Sequence, residues 1–255
     1  MKHINRLAGR VLALLLGLFL LPQVKAEDFT IAAASDLRYA LDEIVAAYVA
    51  EHPVHQPTVI YGSSGQFHTQ ISNGAPYDLY FSADIVYPQM LHKSGLTASE
   101  PAVYALGRIV LWSAGRDAST LRLSDLLNGG ISRIAIAQPD HAPYGQRARE
   151  ALQATGIWTG VQAKLVFGEN IAHAAQMAES GAADIGILAL SLALFPNMTT
   201  QGYHLIDADL HNPLAQAYVI TRYGEGKPAV LDFADYLEGD KAHTIMQRYG
   251  FVMPE

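Results

Sequence analysis

Short apolar runs alternate along this chain with stretches whose apolar residues recur every three or four positions, which is the pattern of strands alternating with helices. The clearest unit runs from an apolar 29–34 into Leu37, Leu41, Ile44 and Tyr48, which fall on one helical face and end before Pro53. A second predicted strand, 57–61, leads through Gly62-Ser63-Ser64-Gly65 into a helix over 66–72 that Asn73-Gly74 stops. The third unit is a strand at 133–137, a loop at 138–145 and a helix from about 146 to 154, closed by Gly156. The fourth is a strand at 164–167, Gly168-Glu169-Asn170, and a helix over 171–180, closed by Gly181. Such alternation predicts an α/β fold with largely parallel sheets.

The four units fall in two pairs, so two lobes are expected. An apolar stretch at 107–112 reads as a strand crossing from one lobe to the other, and 216–221 as the strand that returns. The expected division is 27–106 plus 217–255 for the first lobe and 107–216 for the second. Ligands of α/β sheets sit beyond the carboxyl ends of the strands, so facing lobes would bring all four loops into one cleft.

The N-terminus sets the compartment. Lys2, Arg6 and Arg10 precede an apolar run at 11–21, and Val24-Lys25-Ala26 fits a small-x-small cleavage site, so 1–26 reads as a secretory signal peptide. Eleven apolar residues are too few to span a bilayer as a helix, which takes about 20. Cleavage would remove four basic and no acidic residues, lowering the formal net charge from −7 to −11. An acidic chain with no basic cluster argues against nucleic acid as a partner. Cysteine is absent, which excludes disulfides, thiolate metal sites, a Cys nucleophile and the acylated Cys of a lipid anchor. The expected location is the periplasm, as a free monomer.

The loops carry the chemistry. A helix N-terminus has unpaired backbone N–H groups and about half a positive charge, so Ser and Gly placed there can hold an anion without Lys or Arg. Ala34-Ser35-Asp36 and Gly62-Ser63-Ser64-Gly65 are such loops.

Several strings together carry a family resemblance: Ala32-Ala33-Ala34-Ser35, Gly62-Ser63-Ser64-Gly65, Asn73-Gly74-Ala75-Pro76-Tyr77-Asp78, Phe81-Ser82-Ala83-Asp84, Ala142-Pro143-Tyr144-Gly145, and Ser180-Gly181-Ala182-Ala183-Asp184-Ile185-Gly186-Ile187. In this order and spacing the chain resembles the periplasmic molybdate-binding proteins (ModA) of ABC importers. The resemblance implies a two-lobed periplasmic binding protein fold of type II and molybdate or tungstate as ligand. It also implies an integral-membrane permease with a separate ATPase subunit as partner, no cofactor, and molybdenum held only as its oxyanion, with no direct protein–metal bonds. Carried over, the ligand-binding positions are Ser35 and Ser64, each with a hydroxyl and a backbone N–H, and Tyr144 and Ile171, mainly with backbone N–H groups. The N–H of Asp36 joins them.

Two positions depart from the family. Ala189 stands where many members place a tyrosine hydroxyl, and Asp36 is a carboxylate beside the cage where the branch sharing Ala142-Pro143-Tyr144-Gly145 tends to have a neutral amide. At an effective dielectric of about 20, two charges about 4 Å apart repel by about 4 kcal/mol. The expectation is therefore that Ser35 caps the helix and the Asp36 side chain turns away in its first turn, where a negative group suits the dipole.

Other readings are weaker. Sulfate or phosphate could use the same donors, and Asp36 could accept the proton of a phosphate. A serine hydrolase using Ser64 with His141 or His173 lacks the G-x-S-x-G elbow, because position 66 is Gln. No phosphate-binding G-x-x-x-x-G-K-[ST] occurs either. His141 is expected outside the ligand's contacts, and Ser82-Ala83-Asp84 as a helix cap. His52-x-x-His55 flanks Pro53 at a helix end and has no third metal ligand nearby in the chain, so it reads as solvated surface.

Overall fold

A computed structural model describes residues 27–195, 198 and 202–254, so the expected signal segment 1–26 lies outside the described residues. The chain opens with β1 (Glu27–Ala34), a 3-10 turn (Ser35–Leu37), α1 (Arg38–Glu51), β2 (His55–Gly62), α2 (Ser64–Ser72), β3 (Leu79–Ser82), α3 (Val86–Lys93) and β4 (Ala102–Gly107). It continues through β5 (Ile109–Trp112), β6 (Ile134–Ala137), α4 (Pro143–Ala154), α5 (Trp158–Val161), β7 (Leu165–Gly168), α6 (Ile171–Glu179), β8 (Ile185–Ala189), α7 (Leu190–Ala193) and β9 (Tyr203–Leu205). β10 (Leu214–Ile220), α8 (Pro228–Leu237) and α9 (Asp240–Arg248) complete it.

Two five-stranded sheets result, in the orders β2-β1-β3-β10-β4 and β7-β6-β8-β5-β9. In the first, β1 pairs parallel with β2 and β3, and β10 runs antiparallel between β3 and β4. In the second, β6 pairs parallel with β7 and β8, and β5 runs antiparallel between β8 and β9. Strands covered by helices on both faces read as continuous apolar runs rather than alternations. Ile31, Ala32 and Ala33 of β1 are accordingly all buried, as is every residue of β6.

The helices bury one stripe each. Ala40, Leu41, Ile44 and Tyr48 of α1 pack with Phe233 and Leu237 of α8 in the core of the first sheet. Gly74 and Gly181, at φ +88° and +75°, close α2 and α6 in the left-handed conformation that a side chain would disfavour.

Three boundaries move from the sequence-based expectation. The crossing stretch is two strands, β4 and β5, broken at Arg108 between the sheets. Helix α4 begins at Pro143 rather than near 146, because a proline fits the first turn, where its missing N–H costs nothing. β10 begins at Leu214, and its pairing with β4 puts Gln216 in the first sheet.

Candidate functional site

The carboxyl ends of β1, β2, β3 and β6, together with the start of α6 beyond β7, meet between the two sheets. Ser35, Asp36, Ser64, Ala83, Tyr144 and Ile171 all line one cavity there. All five residues expected from the sequence are thus brought together. Gly62, Ser63, Ala142 and Pro143 line it as well. They belong to the loops the sequence singles out, as neighbours of the expected residues. The cavity is about 10 Å³ when measured as room for the centre of a water molecule, about the least that holds one water. Its lining holds no Lys, Arg or His among the described residues.

Each turn supplies donors for a local reason. In α6, Asn170 caps the helix by accepting from the His173 N–H at 3.0 Å, and the Ala172 N–H donates to Ser35 Oγ at 3.2 Å. The first-turn donor left over is the Ile171 N–H, which no preceding turn can satisfy. In α4, Pro143 has no N–H, so Tyr144 carries the first one. In α2 the Gly65 N–H is engaged by the His141 carbonyl at 2.9 Å, which leaves that of Ser64. Ser64 Oγ accepts from the Ala83 N–H at 3.0 Å, so its own proton remains available to an anion. Three helix N-termini, from α2, α4 and α6, therefore converge on this space with their positive ends.

Two expectations about the first loop are corrected. Ser35 makes no side-chain cap. It lies in the 3-10 turn, and its hydroxyl donates across the cleft to Asn170 Oδ1 at 3.1 Å. Asp36 does lie in the first turn, but its side chain is only 1% exposed and is held by hydrogen bonds from Tyr144 and Gln216 rather than left to the helix dipole alone. Its Oδ2 accepts from the Tyr144 hydroxyl at 3.0 Å and Gln216 Nε2 at 2.8 Å, and its Oδ1 has no partner. Gln216 is oriented in turn by the Tyr104 hydroxyl, which donates to Oε1 at 2.7 Å. Burial pushes the Asp36 carboxyl up to about 6, against the hydrogen bonds from Gln216 and Tyr144 and from the backbone of Asp36 and Leu37, which pull it down. Burial also holds the Tyr104 and Tyr144 phenols well above their ordinary range, with the Asp36 charge adding to the effect, so both stay protonated donors.

The loops around this space are knitted across the cleft. The His141 carbonyl also accepts from Ser63 Oγ at 2.6 Å, and Ser191 Oγ donates to the Asp36 carbonyl at 2.8 Å. Arg147 of α4 pairs with Asp84 at 2.5 Å, both side chains being buried. Tyr39 stacks on Phe195 with ring centroids 3.6 Å apart. Ser82-Ala83-Asp84 turns tightly, with the Val86 N–H on Asp84 Oδ1 at 3.0 Å, while Ala83 reaches the cavity wall. His141 Nδ1 meets Ser63 Oγ at 2.8 Å, and the imidazole is not among the groups lining the cavity.

Comparison with known proteins agrees with this arrangement. Residues 29–252 match the family described as bacterial extracellular solute-binding protein. The molybdate-binding protein ModA of Azotobacter vinelandii is 33% identical over 89% of this chain and 90% of its own length. ModA of Rhodobacter capsulatus is 32% identical over 97% and 96%. The solved structure of the periplasmic molybdate-binding protein of A. vinelandii superposes with a TM-score of 0.83 at 29% identity, covering 89% of this chain and all of that one. The sulfate-binding protein SubI of Mycobacterium tuberculosis shares the fold, with a TM-score of 0.72 at 15% identity. With donor turns converging from two sheets, and a match running through both of them, the chain belongs to the bacterial extracellular solute-binding proteins and, within them, to the ModA family.

Proposed function

We propose that this chain captures molybdate or tungstate in the periplasm and delivers it to an ABC permease driven by a separate ATPase subunit. One observation carries the reading: N–H and O–H donors from turns of both sheets converge on a small cavity that no cationic side chain lines. A fully ionised oxyanion offers only acceptors, so its site must offer donors. The proposed donors are the Ser64 hydroxyl and N–H and the N–H groups of Ser35, Asp36, Tyr144 and Ile171. The Ser35 hydroxyl becomes a further donor if it turns from Asn170. The protein touches only oxygens of the anion, and no cofactor or catalytic step is part of this function.

The cross-cleft bonds support capture by closure of two lobes, expected as 27–106 with 217–255 and 107–216. Closing excludes water, and each charge-assisted hydrogen bond strengthens in the drier surroundings. The proposed working species is a free monomer.

A second anion is favoured by one observation. An ionised Asp36 carboxylate lining the cavity could accept the proton of a hydrogen phosphate. Calorimetric titration with molybdate, tungstate, sulfate and phosphate separates the readings. Tight binding of the first two alone is expected. Preference for phosphate would transfer the site to a protonated anion, and equal affinity for sulfate would remove the named ligand.

A further inference from the structure

The pair His52 and His55, which reads as solvated surface in the sequence, acquires a third partner from the other end of the chain. His52 follows the last residue of α1 and His55 opens β2, while α8 lays Asp232 against both. His52 Nδ1 lies 2.9 Å and His55 Nδ1 3.4 Å from the same oxygen, Asp232 Oδ2. Tyr48, one turn before His52, adds its hydroxyl, 2.8 Å from that oxygen and in direct contact with His55 Nδ1. The imidazoles are stacked at an interplanar angle of 15° with centroids 5.6 Å apart, and His52 also stacks on Tyr48. The ring orientations are therefore set by packing.

The Tyr48 hydroxyl and His52 Nδ1 fill the two lone pairs of Asp232 Oδ2, and His55 Nδ1 meets the Tyr48 hydroxyl. The spacing of the three ligand atoms also fits a cation. Ligands of a tetrahedral zinc ion, at bonds of about 2.0–2.1 Å, stand about 3.3 Å apart, and the two imidazole-to-carboxylate separations bracket that value. We propose that His52, His55 and Asp232 bind one divalent transition-metal ion of the zinc class. The Tyr48 hydroxyl orients the carboxylate, and water completes the coordination. Two imidazoles and a single carboxylate suit zinc, copper or nickel rather than calcium or magnesium, which take mostly oxygen ligands. The His52, His55 and Asp232 side chains are 32%, 16% and 40% exposed, so an ion can enter from solvent.

The site is separate from the oxyanion cavity. β2 begins at His55 and ends at Gly62 beside the cavity, so the two lie about 23 Å apart along an extended strand. The metal would join α8 to the turn between α1 and β2 and staple the C-terminal helices onto the first sheet. It would stabilise the fold by mass action without touching the anion.

Calorimetric titration of the untagged, chelator-treated protein with zinc chloride tests this, alongside thermal unfolding and NMR of the histidine rings. Expected are one ion per chain, a rise in Tm, and shifts of the His52 and His55 ring signals. Asp232→Asn and His55→Ala should each weaken zinc at least about tenfold while molybdate affinity stays the same. Absence of saturable one-to-one binding at about 100 µM zinc, or binding that both variants retain, overturns the site. Ring signals of the unaltered protein that ignore zinc do the same, whether or not either variant folds.

Discussion

Asp36 is the residue on which the electrostatics turn. Its carboxyl is pushed up to about 6 by burial, against about 3.9 for an exposed aspartate, so the folded chain holds this proton more tightly than the unfolded chain. The stabilisation from the neutral acid is complete below pH 4 and is lost as pH rises through 6. Over that window the loss is about 3 kcal/mol. Urea unfolding should therefore show stability falling from pH 4.5 to 7 more steeply in the wild type than in Asp36→Asn. Binding follows the same sign: a bound anion raises the acid further, so capture above pH 6 takes up a proton and affinity falls as pH rises. In Asp36→Asn the pH profile should flatten and the affinity at pH 8 should be equal or higher. A loss beyond about tenfold, ~1.4 kcal/mol, would show instead that the carboxylate itself contributes to holding the anion. Ser64 offers the complementary test. Its hydroxyl proton has no acceptor while its oxygen holds the Ala83 N–H. Ser64→Ala should weaken molybdate by about 1.5–3 kcal/mol, the worth of a hydrogen bond to a charged group, as read by calorimetry.

At the scale of elements, the strand-to-helix turns were legible in the sequence because their causes are local. Apolar runs, small residues at the turn and a glycine or Asn-Gly stop place β1, β2, β6 and β7 and the helices after them within a few residues. Less legible was what each polar side chain does. Ser35 looked like a helix cap, but at the start of α6 Asn170 takes its proton and the Ala172 N–H its oxygen. Close approach between loops is likewise invisible locally. A Cβ on Gly65 would come within 2.7 Å of the His141 carbonyl oxygen, a backbone atom that cannot swing aside. Gly65→Ala should wedge α2 away from the loop before α4. The expected result is at least about tenfold weaker anion binding, with a smaller ligand-induced contraction in X-ray scattering and little change in Tm. An unchanged affinity would show that this contact does not limit closure.

The whole molecule is held shut by few strong contacts, and the Asp84–Arg147 pair is the most buried ion pair among them. Removing one partner of a buried pair leaves the other charge unpaired, at a cost of about 3–5 kcal/mol. Arg147→Met should accordingly lower Tm and weaken anion capture together, because the pair joins the turn after β3 to α4. Restored stability in Asp84→Asn/Arg147→Met, relative to the single change, would identify the stranded carboxylate as the cause.

The sequence by itself determined the alternation of strands and helices, the small donor loops at the helix starts and the lack of cysteine chemistry, since these depend on neighbours within a few positions. It also carried the family resemblance, through short strings in a definite order. Only the tertiary structure decided which donors are free, why Asp36 holds its proton more tightly than an exposed aspartate, and that Asp232 completes a cluster with His52 and His55. The last two depend on partners more than a hundred residues away in the chain. Burial and hydrogen-bond competition set them, and both arise only when distant elements pack.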